Sequence, residues 1–250
     1  MPYQTIQVDV RDAVCYLRFD RPARDHAITD QLVDELHDAL TSCEARARVI
    51  VLSGTTSAFC SGADLHDVAG PRGAVDASAL YDLWQRLASG PFVSVAHVEG
   101  RANAGGVGFV AACDVALASE GAQFSLSELL FGLYPACVLP FLVRRVGVQR
   151  AHYLTLTAQA IGARQAAEWG LVDAVDANSE RLVQRHVQRL VRLKAPALRA
   201  YKAYAQRLAP QLQALRGAAV SANEAMFADP GNLQAIRDYI ERGVFPWEDG

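Results

Sequence analysis

The sequence predicts an α/β core followed by a helical C-terminal part. In the first third of the chain, short apolar runs alternate with amphipathic segments, whereas from about residue 138 onward nearly all apolar positions have helical spacing. A length of 250 residues allows one large domain or one domain with a helical appendage. We therefore expect a core over residues 1–190 and a C-terminal helical region over residues 191–250.

Each element is predicted from its local pattern. Strands are expected where apolar runs are short, at residues 5–10, 14–19, 49–52, 92–98 and 115–118. Thr29 or Asp30 can cap a helix whose apolar stripe begins at Leu32. Further helices are expected at residues 79–87, 109–113, 163–170, 179–193, 197–208, 211–226 and 232–242. The Gly-Pro-Arg-Gly run predicts a mobile loop over residues 70–78.

Composition excludes several classes of protein. The net charge of −3 gives no electrostatic footprint for nucleic acid, and no apolar run is long enough to predict a membrane span. The five cysteines lack a CxxC pair, and the six histidines lack metal-ligand spacing, so we expect reduced thiols, no metal site and a cytoplasmic location. Serine-hydrolase, dinucleotide and P-loop motifs are also missing.

Two glycine-bearing turns each follow a predicted strand. They are FCSGAD at residues 59–64 and ANAGGVG at residues 102–108. Glycine lets the backbone come close to a ligand, and such turns can aim free N–H groups at it. Two turns that each offer one N–H are what an oxyanion hole requires.

Three carboxylates near these turns have open roles. Glu128 can serve in proton transfer, or it can be a first-turn acid that a helix dipole stabilises. Asp64 can cap the segment that follows it, or it can face a pocket. Asp114 is expected to hold a turn or a cap.

Together these motifs resemble the crotonases, the enoyl-CoA hydratase/isomerase superfamily. The resemblance starts at Tyr3 and extends to the C-terminus. It is carried by RP at 21–22, AFCSGAD at 58–64, AGG at 104–106, CD at 113–114, AQFSLSE at 122–128 and GARQAAEWGLVDA at 162–174. It implies an α/β fold with a crotonase-like spiral of repeated ββα units and a C-terminal helical trimerisation region.

The resemblance also implies roles for single residues. Backbone N–H groups of Ala63 and Gly105 would form the oxyanion hole for a thioester, and Glu128 would be one of the two catalytic glutamates of a hydratase. The second glutamate falls at Gly108, and this departure puts simple two-glutamate hydration in doubt.

A closer resemblance is to the dehydratases of polyketide β-branching cassettes. It is carried by YDLW at 81–84, NAGG at 103–106, FSLSELLFGLYPACV at 124–138 and FPWED at 245–249. It implies dehydration of a 3-hydroxy-3-methylglutaryl group, held on an acyl carrier protein, to 3-methylglutaconyl. No cofactor is expected beyond the phosphopantetheine of the carrier protein, or CoA, that bears the substrate.

In this reaction Glu128 is expected to remove the C2 proton and to return it to the leaving hydroxyl, with Asp64 or an ordered water as the alternative acid. Residues expected to bind the substrate are Arg24, Gly62, Tyr81, Asn103 and Gly106. The candidates for pairing with its distal carboxylate are Arg101, Asn103, His66 and Tyr81, and Arg24 and Arg242 are candidates for the pantetheine phosphate.

The expected partners are an acyl carrier protein and further copies of the chain, in a trimer or a hexamer. A row of basic residues in the C-terminal helices is either a docking face for the acidic carrier or an ordinary solvated face. These residues are Arg189, Arg192, Lys194, Arg199, Lys202 and Arg207. Alternative functions are the decarboxylase of the same cassettes, a plain enoyl-CoA hydratase or isomerase, and an inert scaffold that binds carrier proteins.

Overall fold

The computed structural model describes residues 3–208, 210–245 and 247. Of the tail at residues 245–249, positions 246, 248 and 249 lie outside the described residues.

Strands and helices alternate through the first two thirds of the described chain, and helices follow to its end. The strands are β1 (Ile6–Arg11), β2 (Val14–Phe19), β3 (Val49–Ser53), β4 (Ala58–Cys60), β5 (Val93–Val98), β6 (Arg101–Asn103), β7 (Val115–Ala118), β8 (Gln123–Ser125), β9 (Ile161–Gly162) and β10 (Ala174–Val175). The helices are α1 (Asp30–Glu44), α2 (Leu65–Ala69), α3 (Ala77–Ser89), α4 (Gly105–Ala112), α5 (Leu139–Val146), α6 (Val148–Thr157), α7 (Ala163–Trp169), α8 (Ser179–Leu190), α9 (Ala195–Leu208), α10 (Gln211–Ala228) and α11 (Pro230–Arg242).

The strands form two sheets whose members are interleaved along the chain. The larger sheet has the order β1-β2-β3-β5-β7-β10, with only β1 antiparallel to its neighbour, and the smaller one has the order β4-β6-β8-β9. Each of the pairs β3-β4, β5-β6 and β7-β8 gives its first strand to the larger sheet and its second to the smaller one. This repeat is the ββα spiral that the crotonase resemblance implies, and it brings the ends of β4, β6 and β8 side by side.

Most differences from the predicted elements concern short segments. The strands β4, β6 and β8 have three residues each, too few to show a periodic pattern. Helix α3 begins at Ala77 because Asp76 caps it through the N–H groups of Ser78 and Ala79, so the predicted loop is shorter than 70–78. Whether that loop is mobile stays a prediction.

Helix α4 begins at Gly105, four residues before the predicted start at residue 109. Glycine disfavours a helix interior, and propensity therefore predicts a later start. Here close packing requires glycine in the first turn of the helix, because a Cβ on Gly106 would collide with the carbonyl oxygen of Cys60. The glycines thus let α4 lie directly against the end of β4.

The C-terminal helices pack onto the core. Leu212, Ala219 and Val220 of α10 belong to the same buried cluster as the central strands, and Ile236 of α11 packs in a cluster with Val68 of α2. The division at residue 190 stays a prediction.

A buried ion pair also holds α9 to the sheet. Lys202 Nζ lies 2.5 Å from both carboxylate oxygens of Asp114, and the N–H of Ser94 donates to Asp114 Oδ2 at 2.9 Å. Asp114 is therefore structural, as predicted. Lys202 is only 6% exposed, so it is not part of a solvated basic face and the expectation for this residue is wrong.

We expect Lys202→Met to lower the free energy of unfolding by about 2–4 kcal/mol. Breaking a buried pair leaves the remaining charge without its partner, although a quarter of the Asp114 side chain still reaches solvent and reduces this cost. Chemical denaturation measures the change, and Lys194→Met, at an exposed position eight residues earlier in the chain, is the control. Equal midpoints for the two variants would show that the pair contributes nothing.

Candidate active site

A narrow cavity of about 120 Å³ lies where the two glycine turns meet the segment that follows β8. Ala63, Gly105 and Glu128 all line it. The rest of the wall is largely apolar and includes Leu80, Phe131, Leu133, Val138 and Phe227. The structure thus brings together the two turns and the carboxylate that the sequence singles out.

The two turns are in direct contact. A Cβ on Gly62 would lie 3.3 Å from the backbone nitrogen of Gly105 and 2.7 Å from Cβ of Ala104. Gly62 also has a φ of +89°, a conformation that other residues rarely adopt. Gly62 itself does not line the cavity. We therefore assign it to the close approach of the two turns and not to substrate contact.

The local backbone leaves both N–H groups of the predicted oxyanion hole outside the regular hydrogen bonding of the helix and of the bridge to Ile28. Gly105 is the first residue of α4, and the first N–H groups of a helix have no partner within it. At Ala63, the bridge to Ile28 uses the carbonyl of Gly62 and the N–H of Asp64, which leaves the N–H of Ala63 on the other edge. Convergence of these two donors on one oxygen stays a prediction.

Ala104 carries backbone strain between β6 and α4. Its φ is +49° and its ψ is −119°, which is unusual for a residue with a side chain. Strain of this kind costs on the order of 1–3 kcal/mol and is concentrated at functional sites. Here it reverses the chain so that α4 starts beside the cavity.

Glu128 has an electrostatic environment suited to a base. Its oxygen Oε2 is buried and has no hydrogen-bond partner within the described structure. Burial raises the pKa of Glu128 to about 7, against the opposing effect of the backbone N–H groups of Glu128 and Ser127. A carboxyl group with this pKa exchanges protons readily near neutral pH.

Trp84 on α3 is a cavity residue that the sequence analysis missed. Its side chain is 1% exposed, and its indole nitrogen Nε1 has no hydrogen-bond partner within the described structure. Phe109 and Phe141 pack edge-on against the ring, at centroid distances of 5.7 and 5.8 Å. A Cβ on Gly108 would lie 2.6 Å from Cζ2 and Cη2 of the indole, so the ring occupies the space next to residue 108.

Asn103 lines the cavity but is tied to neighbouring protein groups. Its Nδ2 donates to Ser127 Oγ at 3.0 Å, and its Oδ1 accepts from Ser125 Oγ at 2.9 Å. These bonds join β6 to the segment that carries Glu128. We therefore assign Asn103 to positioning that segment, which removes it from the four candidates for the distal carboxylate.

The structure contradicts a catalytic role for Asp64. This carboxylate caps α2 through the N–H of His66 and pairs with Arg21 Nη2 at 3.0 Å. Although burial acts in the opposite direction, these interactions lower the pKa of Asp64, so it remains ionised and is a poor proton donor. It also lies outside the lining of the Glu128 cavity.

The other candidates for the distal carboxylate, like Asp64, lie outside the lining of the Glu128 cavity. The Tyr81 hydroxyl is buried and donates to the carbonyl oxygen of Leu212 at 2.6 Å, so the predicted substrate contact of Tyr81 is wrong. Arg101 forms an exposed ion pair with Asp25, and His66 is exposed outside the cavity. Asn223 of α10 instead provides an amide in the cavity wall. Its position could not be foreseen, since α10 shows only a helical stripe in the sequence.

Arg24 lies in a groove that adjoins the cavity. The groove shares Ser61, Ala63 and Leu65 with the cavity wall, and Tyr239 of α11 also lines it. Arg24 is exposed there, whereas Arg242 pairs with Asp238 at 3.2 Å. The remaining predicted binding residue, Gly106, is buried in packing against β4 and does not line the cavity.

Within the described residues, no group of three His, Cys, Asp or Glu side chains could hold a metal ion. None of the helices in the same part of the chain combines the length and apolarity needed to cross a membrane.

Comparison with known proteins gives matches over nearly the whole chain. The model of the enoyl-CoA hydratase/isomerase family matches residues 9–250. The bacillaene synthase dehydratase PksH of Bacillus subtilis is 47% identical, over 99% of this chain and 98% of that protein. A probable enoyl-CoA hydratase of Rhodobacter capsulatus is 35% identical, over 69% of this chain and 68% of that protein.

A solved structure agrees closely with this fold. The crystal structure of a putative polyketide biosynthesis enoyl-CoA hydratase (pksH) from Bacillus subtilis has a TM-score of 0.95 and 46% identity. The match covers 98% of this chain and all of that one.

Proposed function

Because the chain belongs to the enoyl-CoA hydratase/isomerase family, we propose that it is the hydro-lyase that dehydrates a 3-hydroxy-3-methylglutaryl thioester on an acyl carrier protein. The product is the 3-methylglutaconyl thioester. The observation that carries the proposal is Glu128, a carboxyl group with a raised pKa that lines the same largely apolar cavity as Ala63 and Gly105.

The reaction requires the removal of a proton next to a thioester carbonyl. Glu128 takes this C2 proton, and the charge that develops on the thioester oxygen is held by the N–H groups of Ala63 and Gly105. A preorganised donor of this kind contributes about 3 kcal/mol to stabilisation of the transition state. The C3–O bond then breaks, the electron pair leaves with the oxygen, and Glu128 returns its proton so that water departs. One carboxyl group serves both steps, since Asp64 is held ionised by Arg21.

The similarity to a bacillaene synthase dehydratase supports dehydration within polyketide biosynthesis. The local structure supports it as well, because the indole of Trp84 fills the space beside Gly108 where the second glutamate of a hydratase would need room. An apolar wall suits a short branched acyl chain, and Asn223 is the group that we assign to its distal carboxylate.

A carrier protein would deliver the acyl chain through the groove next to the cavity. The exposed Arg24 in this groove is placed to attract the phosphate of phosphopantetheine. No other cofactor is needed for this chemistry.

We also infer that the chain forms a homo-oligomer, a trimer or a hexamer, through its C-terminal helices. Three large apolar side chains of α9, Tyr201, Tyr204 and Leu208, are exposed by 59–66%. A row of such side chains on one helix favours burial against another copy.

Intact-mass spectrometry tests the function. A carrier protein that bears the 3-hydroxy-3-methylglutaryl group should lose one water on incubation with the enzyme, and kcat/KM should rise with pH through about 7, because Glu128 must be ionised to accept the C2 proton. A loss of carbon dioxide would instead identify a decarboxylase. An unchanged mass would favour the scaffold or a CoA-thioester hydratase. Assays with enoyl-CoA then distinguish these two alternatives.

A further inference from the structure

Two side chains that line the same cavity each have one buried polar atom without a hydrogen-bond partner in the described part of the chain. One is Oε2 of Glu128, an acceptor when the carboxyl group is ionised, and the other is Nε1 of Trp84, which can only donate. Folded proteins pair nearly all such atoms, because a buried polar atom left unpaired destabilises the fold. A donor and an acceptor left open in one cavity therefore point to a ligand group that accepts at one side and donates at the other.

A hydroxyl group has this property, since it carries one proton and two lone pairs. We propose that the indole N–H of Trp84 donates a hydrogen bond to the leaving C3 hydroxyl of the substrate while Glu128 faces the same oxygen. This assignment rests on the proposed dehydration. No proton is transferred from Trp84. As the C3–O bond breaks, negative charge develops on the oxygen, the indole N–H stabilises it, and the proton held by Glu128 completes the water.

The position of the indole is fixed by its surroundings. Phe109 and Phe141 hold the ring edge-on, and Gly108 gives it room on the side of α4. The donor is thus preorganised before the substrate arrives, and this is the condition under which a single hydrogen bond to a developing charge is worth 10²–10³ in rate, on the order of 3 kcal/mol.

Trp84→Phe removes the N–H and keeps an aromatic ring. We expect the rate of water loss from the carrier-bound substrate to fall about 10²–10³-fold. Trp169→Phe is the matched control, because it makes the same substitution at a half-buried tryptophan that packs on Tyr153 and does not line the cavity. Its rate should stay within twofold of the native rate. A Trp84→Phe rate within twofold of the native one would overturn the proposal.

A second measurement separates hydrogen bonding from damage to the fold. The affinities of 3-hydroxy-3-methylglutaryl-pantetheine and of 3-methylglutaryl-pantetheine, which lacks the hydroxyl, are compared in Glu128→Gln protein, where no reaction consumes the ligand. Adding the Trp84→Phe change should reduce the preference for the hydroxylated ligand about 3–10-fold, which is the net value of one hydrogen bond. Equal weakening of both ligands would indicate a purely structural role and would contradict the proposal.

Benzothienylalanine at position 84 keeps the shape of tryptophan with sulfur in place of N–H. It should reproduce the loss of preference even if Trp84→Phe folds poorly. If the native enzyme releases no water, the proposed function fails, whereas the ligand preference in Glu128→Gln protein still reports on Trp84.

Discussion

Glu128→Gln should slow water loss from the carrier-bound substrate by at least 100-fold, within the range of about 10²–10⁴ that positioned acid–base groups contribute. The amide can neither accept the C2 proton nor return it to the leaving oxygen, so both steps are lost together. Single-turnover intact-mass measurements give the rate. Glu168→Gln, at an exposed position on α7, is the control and should keep the native rate. A reduction below tenfold would remove Glu128 from the central role.

The same substitution should stabilise the protein at alkaline pH. Burial raises the pKa of this carboxyl group from its ordinary value of 4.5 to about 7 in the folded chain, so the folded state binds more protons between these values and stability falls as the pH rises. The full loss, reached above pH 7, is roughly 3 kcal/mol at 1.36 kcal/mol per pKa unit. Glu128→Gln protein does not lose this stability, because the amide does not titrate. Urea denaturation should therefore show similar stabilities at pH 4 and a more stable variant at pH 8.

Gly108→Glu should fail to create a two-glutamate hydratase and should destabilise the fold by about 3 kcal/mol or more. Even the first carbon of the new side chain would lie 2.6–2.9 Å from the indole of Trp84, which is held between aromatic rings. Overpacking alone costs about 1–3 kcal/mol, and burying a carboxylate without partners adds to it. Thermal denaturation and an enoyl-CoA hydration assay measure the two outcomes. A stable variant with new hydration activity would refute this account of position 108.

Two alanine variants give the matched control for this prediction. Gly217 lies within α10, and a Cβ there meets nothing within 4 Å, so Gly217→Ala should stabilise the protein by about 0.5–1 kcal/mol through helix propensity. Gly108→Ala makes the same change in α4 and should destabilise the protein. Adding Trp84→Ala should relieve the clash between the new Cβ and the indole, and the coupling energy of the double-mutant cycle measures the cost of this clash.

The sequence predicted well those features that local pattern determines. The central strands, the long helices and the two glycine turns follow from apolar spacing and from the special freedom of glycine. The turns and Glu128 do meet in one cavity, because strands β4, β6 and β8 are neighbours and each is followed by one of these segments.

The features that sequence missed depend on contacts between distant parts of the chain. The sequence allows Asp64 to be either a helix cap or a pocket residue, and the ion pair with Arg21, 43 positions away, shows that it is a cap. Tyr81 and Trp84 lie about one turn apart on α3. Of the two, only Trp84 lines the cavity, whereas the hydroxyl of Tyr81 donates a hydrogen bond to the carbonyl oxygen of Leu212 in α10. No pattern within α3 distinguishes the two residues.

The interleaving of the two sheets has a consequence for how the chain reaches its native state. The outermost parallel strand of the larger sheet, β10, ends at Val175, and its partner β7 lies more than 50 positions earlier. Neither sheet can be completed during synthesis until most of the core has left the ribosome. Parallel pairing between distant segments folds slowly, and the unfinished edges of both sheets remain open to other chains in the meantime. High rates of synthesis should therefore favour aggregation of the nascent protein, and slower synthesis at low temperature should favour its recovery in native form.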